Sequence, residues 1–398
     1  MLKARPSPGQ SIRLATFGAF FAFFLFGFAD SIKGPALPVI LEDLKLGYAA
    51  GGALLFSTYA GFLFATLLAG SLCDRVGKRA VILMAGLSLC LGMAGFAGFA
   101  TLPALMFAMI LVGIGFGAFE VGGNTIIVDL QGARKGFYLN LLAVCHGAGS
   151  VLAPLFAGKV LSSGASWRSV YGYSLILAAL LPLYFLFVRY PRNKPSVRNR
   201  VGLRKLGKTA FGSPMGLYYM LIAMYVSAEV ATASWMVVFL QRAKGLSVIS
   251  SSLFLSLFFG ALTAGRLAGS LLVDRLGYLI IMLWASVAAA LCLALGILAP
   301  AGFAFFLPLT GFFFSIIFPT TTAAVSDLHR KNIGTVLGLL FTFGGAGAAL
   351  GPWGVGIVSD WLGIFWGFAV TLLFCTCVTI ALLVLVIKRN ANHSTPAA

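Results

Sequence analysis

Residues 70–79 read GSLCDRVGKR, and the DRVG at residues 74–77 returns as DRLG at residues 274–277. Each copy is a short charged break between two long apolar runs. Two other features recur about 200 residues apart: the Gly-Ala-Gly run at 147–149, followed by Pro154, returns at 345–347, followed by Pro352, and Asp129 matches Asp327. Repetition at one offset along the chain predicts two related halves that have the same orientation.

The composition indicates that lipid surrounds most of the chain. Apolar residues make up 60% of the 398 residues and charged residues only 10%, which is too little polar surface for a soluble domain of this length. A membrane span needs roughly 20 apolar residues. We expect twelve spans, at 14–40, 48–72, 80–100, 103–129, 136–160, 168–188, 215–241, 247–272, 278–298, 301–327, 333–358 and 361–387.

These spans predict an all-α membrane protein of two pseudo-symmetric six-helix bundles, residues 1–188 and 215–398, joined by a basic linker at 189–214. The net charge is +18, and the basic residues lie in loops between spans, so they indicate topology and not nucleic-acid binding. Their concentration on one side predicts that both termini lie in the cytoplasm and that the chain is a multi-pass protein of the plasma membrane.

At residues 70–79 the chain resembles the major facilitator superfamily, whose signature G-x-L-x-D-R-x-G-[RK]-[RK] is matched in full. The second copy departs from it, because Tyr278 and Leu279 replace the basic pair and the glycine is displaced to Gly269. The resemblance covers essentially the whole chain and implies a secondary transporter that works by alternating access, and not an enzyme.

The charged breaks are predicted to gate the cytoplasmic side. An aspartate at a helix end can accept hydrogen bonds from the N-terminal amides of a neighbouring helix, and arginines can pair with acids on adjoining helices. Such contacts bias a two-state equilibrium if they form only when that side is closed. The alternative is a loop that only determines topology. The predicted gating residues are Gly70, Asp74, Arg75, Gly77, Lys78, Arg79, Asp274 and Arg275.

Three acids lie in the middle of predicted spans: Asp30, Glu120 and Glu229. Because a charge at the bilayer centre costs about 3 kcal/mol, such residues are functional candidates. We predict that they and His146 carry coupling protons. The alternative is that they pair with Lys33, Arg266 or His146 and only hold helices together. In the superfamily fold, spans one, four, seven and ten line the central cavity, and the three acids lie on three of these.

Glu120 and Asn124 are four residues apart, on one helix face, with two glycines between them. A carboxylate beside a carboxamide can bind vicinal hydroxyl groups. This pattern, with an acid in the first span, is similar to the fucose, glucose or mannose proton-symporter family, and the resemblance implies that Asp30 and Glu120 bind substrate or carry protons. Glu229 has no counterpart in that pattern. Trp235 is predicted to stack on a sugar ring and Thr322 to contribute a hydroxyl.

The leading hypothesis is therefore proton-coupled symport of a small polyhydroxylated solute, most simply a hexose. A multidrug or lipophilic-cation/proton antiporter and a sodium-coupled sugar carrier remain alternatives. We expect no cofactor other than the coupling ion, H⁺ or Na⁺, and no metal site. The expected partners are the solute and membrane lipid, and the chain is expected to act as a monomer.

Overall fold

The computed structural model describes residues 8–188, 214–328 and 333–394. Within these residues twelve segments are long and apolar enough to cross a membrane, and no strand is present, which confirms the predicted fold class. The linker predicted at 189–214 lies outside the described residues except for Pro214.

The spans are built from fourteen α-helices in the described part of the chain. In chain order they are α1 (Pro8–Ser31), α2 (Lys33–Asp43), α3 (Tyr48–Val76), α4 (Lys78–Gly98), α5 (Leu102–Leu130), α6 (Lys135–Ser162), α7 (Trp167–Phe187), α8 (Met215–Arg242), α9 (Val248–Leu276), α10 (Tyr278–Leu298), α11 (Phe306–Phe314), α12 (Ile317–Leu328), α13 (Ile333–Leu362) and α14 (Ile364–Ser394).

The first and tenth spans are each interrupted, which the hydrophobicity pattern did not predict. The first breaks at Ile32, between α1 and α2, and the tenth at residues 315–316, between α11 and α12. Both breaks have the sequence Ser-Ile-x-x-Pro, with the prolines at 35 and 319. A proline has no N–H for the carbonyl four residues earlier, here that of the serine. Proline alone is not sufficient, because Pro154 and Pro352 lie within continuous helices.

The glycine run repeated in the two halves makes the same contact in each. A Cβ on Gly149 of α6 would lie 2.1 Å from the Phe24 carbonyl oxygen of α1, and a Cβ on Gly347 of α13 would lie 2.2 Å from the Ala223 carbonyl oxygen of α8. No side chain fits at these distances. The run therefore lets the fifth span of each half touch the backbone of the first span of that half.

The described residues form two compact units. Unit 1 comprises 8–39 and 57–188, and unit 2 comprises 40–56, 214–328 and 333–394. Residues 40–56, which we call the α2–α3 connection, join the first two spans and yet pack within unit 2. The Asp360 carboxylate of α13 accepts hydrogen bonds from the Tyr48 and Ala49 amides at 2.6 and 2.9 Å, and Glu42 pairs with Arg242 at 3.1 Å.

Candidate substrate and ion site

In unit 1 the predicted acid of the first span is held by two partners. The Lys33 ammonium lies 2.5 Å from Asp30 Oδ1, across the break between α1 and α2. The Tyr59 hydroxyl, from α3, lies 3.3 Å from both carboxylate oxygens. The Asp30 side chain is 21% exposed and that of Lys33 only 6%. Asp30 is therefore neutralised inside the membrane by a cation from its own span.

Aromatic rings complete the surroundings of Lys33. Its nitrogen lies 4.4 Å from the centroid of the Tyr59 ring and 5.9 Å from that of Phe116 on α5. Both distances are within the range of a cation–π interaction, which is stronger when the cation is desolvated. Carboxylate and ring faces together stabilise an ammonium group that would otherwise be costly to bury.

Glu120 and Asn124 form a joined pair on α5. The Asn124 side-chain amide donates to Glu120 Oε1 at 3.0 Å and to the Glu120 carbonyl oxygen at 2.7 Å, and both side chains are half-buried. Gly123, between them, lies against the Phe23 ring of α1, where a Cβ would come within 2.5 Å. The predicted carboxylate–carboxamide face thus exists, with its two groups in direct contact.

His146 of α6 contacts the first span at Phe26. Its ring packs edge-on against Phe26, with centroids 4.7 Å apart, and Phe26 stacks on Phe116 at 4.8 Å. Phe116 is one helical turn before Glu120 and also contacts Lys33. Through these rings the structure brings Asp30, His146 and the helix that carries Glu120 into one aromatic-lined region of unit 1.

Glu229, in unit 2, has a different setting from Asp30 although the two are 199 positions apart in a chain with a repeat of about that length. The Tyr225 hydroxyl, one turn earlier on α8, donates a hydrogen bond to Glu229 Oε2, and Arg266 of α9 interacts with the carboxylate electrostatically. The sequence gave Arg266, with Lys33 and His146, as a possible partner of the three acids. The pseudo-symmetric acids are therefore neutralised by unrelated groups.

Two side chains that were predicted to contact the solute, Trp235 and Thr322, instead donate hydrogen bonds to backbone carbonyl oxygens of unit 2. Trp235 has no exposed surface, and its indole N–H donates to the Pro352 carbonyl oxygen at 2.8 Å. In this conformation the ring offers no open face to a solute. The Thr322 hydroxyl of α12 donates to the Phe318 carbonyl oxygen at 3.0 Å, one turn earlier, and the side chain is half-buried.

The predicted gating residues of the first copy divide into engaged and exposed groups. Lys78 forms an ion pair with Asp129 at the end of α5. Arg79 donates to the carbonyl oxygens of Phe185 and Leu186 at 3.0 and 2.9 Å, which satisfies the end of α7. Both contacts lie within unit 1, so Lys78 and Arg79 connect α4 to α5 and to α7.

The other gating positions are exposed where the structure describes their side chains. Asp74, Arg75 and Gly77 are exposed, and nothing lies within 4 Å of where a Cβ of Gly70 would be, so the helix contact expected at Gly70 is not formed. In the second copy Arg275 is exposed, and the Asp274 side chain lies outside the described residues. Gly77 and Gly277 both have left-handed backbone, with φ of 88° and 78°, which explains the repeated glycine at each turn.

Comparison with known proteins is consistent with the repeat and the charged loop. A model of the Major Facilitator Superfamily matches residues 19–352. A Helicobacter pylori protein named "Putative glucose/galactose transporter" is 24% identical, over 85% of this chain and 88% of that protein. The Streptococcus pneumoniae "Multi-drug resistance efflux pump PmrA" is 28% identical over 44% of this chain and 45% of its own length. The solved D-xylose-proton symporter has the same fold, with a TM-score of 0.73, 17% identity and coverage of 94% of this chain and 96% of that one.

Proposed function

The chain belongs to the major facilitator superfamily, and from this premise we propose that it is a proton-coupled symporter for a small polyhydroxylated solute, in the simplest case a hexose. Membership in the superfamily makes it a transporter and not an enzyme. In the proposed cycle the solute site opens to one side of the membrane at a time, and protonation permits the return to the other side.

The observation that carries this proposal is the Glu120–Asn124 pair. A carboxylate and a carboxamide in contact on one helix can accept from and donate to neighbouring hydroxyls of a sugar. The name of the Helicobacter pylori relative, which matches over most of this chain, supports a sugar as the solute.

We assign the coupling proton to Glu120 because of its place in the candidate site. Asp30 already has a cation at 2.5 Å, and Glu229 has both a tyrosine hydroxyl and an arginine near it. Glu120 is in direct contact with Asn124, the other proposed solute ligand, so a proton on Glu120 would act directly on solute binding. Asp30 and His146 then act on the same region electrostatically.

Antiport of lipophilic cations with protons is the second candidate. Phe62 and His146 are half-buried and lie against the buried ring of Phe26, so they offer an aromatic surface near the acids, and the efflux-pump relative supports this alternative over about half of the chain. A flat aromatic cation would use the rings, and a hexose would use Glu120 and Asn124.

Counterflow in proteoliposomes separates the candidates. Labelled glucose, galactose and fucose are exchanged in one set and a fluorescent cationic dye in another, with and without a proton gradient. For the sugar symporter we expect Glu120→Gln to keep counterflow and lose gradient-driven accumulation. Asn124→Ala should raise the half-saturation concentration about 10-fold or more, since lost hydrogen bonds cost about 1–3 kcal/mol.

Asn140→Ala is the matched control, because Asn140 is an exposed residue of α6. Its transport should equal that of the wild type. Exchange of the dye without exchange of any hexose would replace the symporter by the antiporter, and normal accumulation by both Glu120→Gln and Asp30→Asn would overturn the proton assignment.

The orientation and assembly belong to the same proposal. We place both termini on the cytoplasmic side of the plasma membrane and take the monomer as the transporting unit. Tags at the two ends should be protected from protease in intact cells and cleaved in inverted vesicles. Transport by proteoliposomes that contain on average less than one chain each would support the monomer.

A further inference from the structure

The ammonium group of Lys33 occupies a position with the properties of a cation site. It is 6% exposed and touches a carboxylate oxygen at 2.5 Å, and two aromatic rings lie within 6 Å of it. The lysine is three residues from Asp30 on the same span, so the site and its occupant are parts of one chain segment. Lys33 can leave the site only as far as its side chain reaches.

The Tyr59 hydroxyl lies beside the Asp30 carboxylate, and the adjacent residue Ser31 carries two further oxygen atoms. The Tyr59 hydroxyl oxygen is 3.3 Å from both oxygens of Asp30. The Ser31 hydroxyl, on the next residue, is 4% exposed and has no hydrogen-bond partner among the described residues. The Ser31 carbonyl receives no hydrogen bond from Pro35, which has no N–H. Carboxylate, hydroxyl and carbonyl oxygens are the ligands of hard cations such as Na⁺.

We propose that Lys33 determines which ion this transporter uses: its ammonium holds, at Asp30, the position that Na⁺ would otherwise take. The wild-type protein is thereby restricted to protons, which act at Glu120. This inference rests on the proposed proton coupling for its meaning, but binding of Na⁺ at Asp30 is measurable without solute and without a gradient.

A purely structural ion pair makes a different prediction from a tethered cation. If the pair only holds the two parts of the first span together, removal of the lysine leaves an unpaired buried carboxylate that takes up a proton and shows no preference for Na⁺. If Lys33 replaces Na⁺, its removal exposes a carboxylate with oxygen ligands beside it. Na⁺ then binds there with saturation, at one ion per chain.

The test uses the full-length protein purified in detergent, at about pH 8 so that a carboxylate with an ordinary pKa is ionised. Na⁺ replaces choline at constant ionic strength, and radioactive ²²Na⁺ binding and the melting temperature are measured. For Lys33→Met we expect saturable binding and a melting temperature that rises by about 3 °C when Na⁺ exceeds its Kd by 100-fold. Wild type and the charge-preserving Lys33→Arg should show neither.

Two double variants locate the ion. Asp30→Asn in the Lys33→Met background should abolish Na⁺ binding, and Ser31→Ala in that background should weaken it about 10-fold, as expected for the loss of one neutral ligand. Equal Na⁺ binding by Lys33→Met and the double variant with Asp30→Asn would overturn the proposal, as would no saturable binding by Lys33→Met.

If Lys33→Met does not give monodisperse protein, Lys33→Gln takes its place, and the wild type itself remains decisive. Saturable binding of ²²Na⁺ to the wild type, or sodium-stimulated uptake by it, contradicts exclusion of Na⁺ by Lys33. The proposed function fails in a distinguishable way, because absence of hexose exchange leaves the Na⁺ binding of Lys33→Met unchanged.

Discussion

Asp360 offers the most direct quantitative test of the structure, because two of its hydrogen bonds hold the start of α3. Its carboxylate accepts from the Tyr48 and Ala49 amides at 2.6 and 2.9 Å, and Gly47 packs so closely that a Cβ there would lie 3.0 Å from either carboxylate oxygen. These are the first amides of α3 and have no partner within the helix. Asp360 thus caps, from α13, a helix that begins in the α2–α3 connection.

The cost of Asp360→Ala follows from this geometry. Loss of a helix-capping acceptor costs about 0.5–2 kcal/mol, and loss of a negative charge at a helix N-terminus costs about 0.3–1 kcal/mol. Asp360 is exposed, so solvent screening favours the lower part of both ranges. We expect about 1–2 kcal/mol in total, which is about a 5- to 30-fold increase in local opening, since 1.36 kcal/mol is a factor of ten.

Hydrogen–deuterium exchange of peptides that cover residues 46–56 measures this opening. The amides at the start of α3 should exchange about 5- to 30-fold faster in Asp360→Ala and by a smaller factor in Asp360→Asn, whose amide oxygen still accepts one bond. Glu42→Gln is the control: it removes the exposed pair with Arg242, which is worth at most about 1 kcal/mol, from the same connection. Unchanged exchange in Asp360→Ala, or an equal effect of Glu42→Gln, would refute the capping argument.

Three further substitutions test the packing, each by the melting temperature of the purified protein. Gly113→Ala places a methyl group 1.8 Å from a backbone oxygen of the second span and should destabilise by about 1–3 kcal/mol, whereas Gly172→Ala, with open space around it, should leave stability unchanged or raise it by about 0.5–1 kcal/mol. Trp235→Phe removes the hydrogen bond to the Pro352 carbonyl and part of a fully buried side chain, and should cost about 1–3 kcal/mol; a loss of sugar binding at unchanged stability would instead favour the predicted stacking role. Arg79→Ala should lower the melting temperature because two carbonyl groups at the end of α7 lose their donor. Arg75→Ala, at an exposed position, should not lower it. Equal effects of the two substitutions would contradict a structural role for Arg79 that Arg75 lacks.

The candidate site was predictable where its members are neighbours in sequence. Glu120 and Asn124 are four residues apart, and Asp30 and Lys33 are three apart, so the geometry of a helix already places each pair in contact. Tyr225 and Phe116, each one turn before an acid, could have been found by the same rule. Tyr59 and Arg266 could not, because they come from other spans and no local pattern links them to Asp30 or Glu229.

The repeat shows how far a sequence pattern predicts tertiary contacts. The two glycine runs were equally compatible with bending and with close packing. Gly149 and Gly347 both face a backbone oxygen of the first span of their own half, so close packing is the role that the structure shows. The DRxG copies are less alike, because the first copy is followed by Lys78 and Arg79, which bind other spans, and the second is followed by Tyr278 and Leu279.

By itself the sequence determined the class of the protein, the twelve spans and the positions at which charge enters the membrane. It could do so because a span of the bilayer requires a long apolar run, and each ionisable side chain within such a run is costly. The tertiary structure alone decided which groups from other spans face these charges: Tyr59 beside the Asp30–Lys33 pair and Arg266 near Glu229. A buried charge is stabilised by whatever group faces it, and which groups face each other depends on how the helices pack.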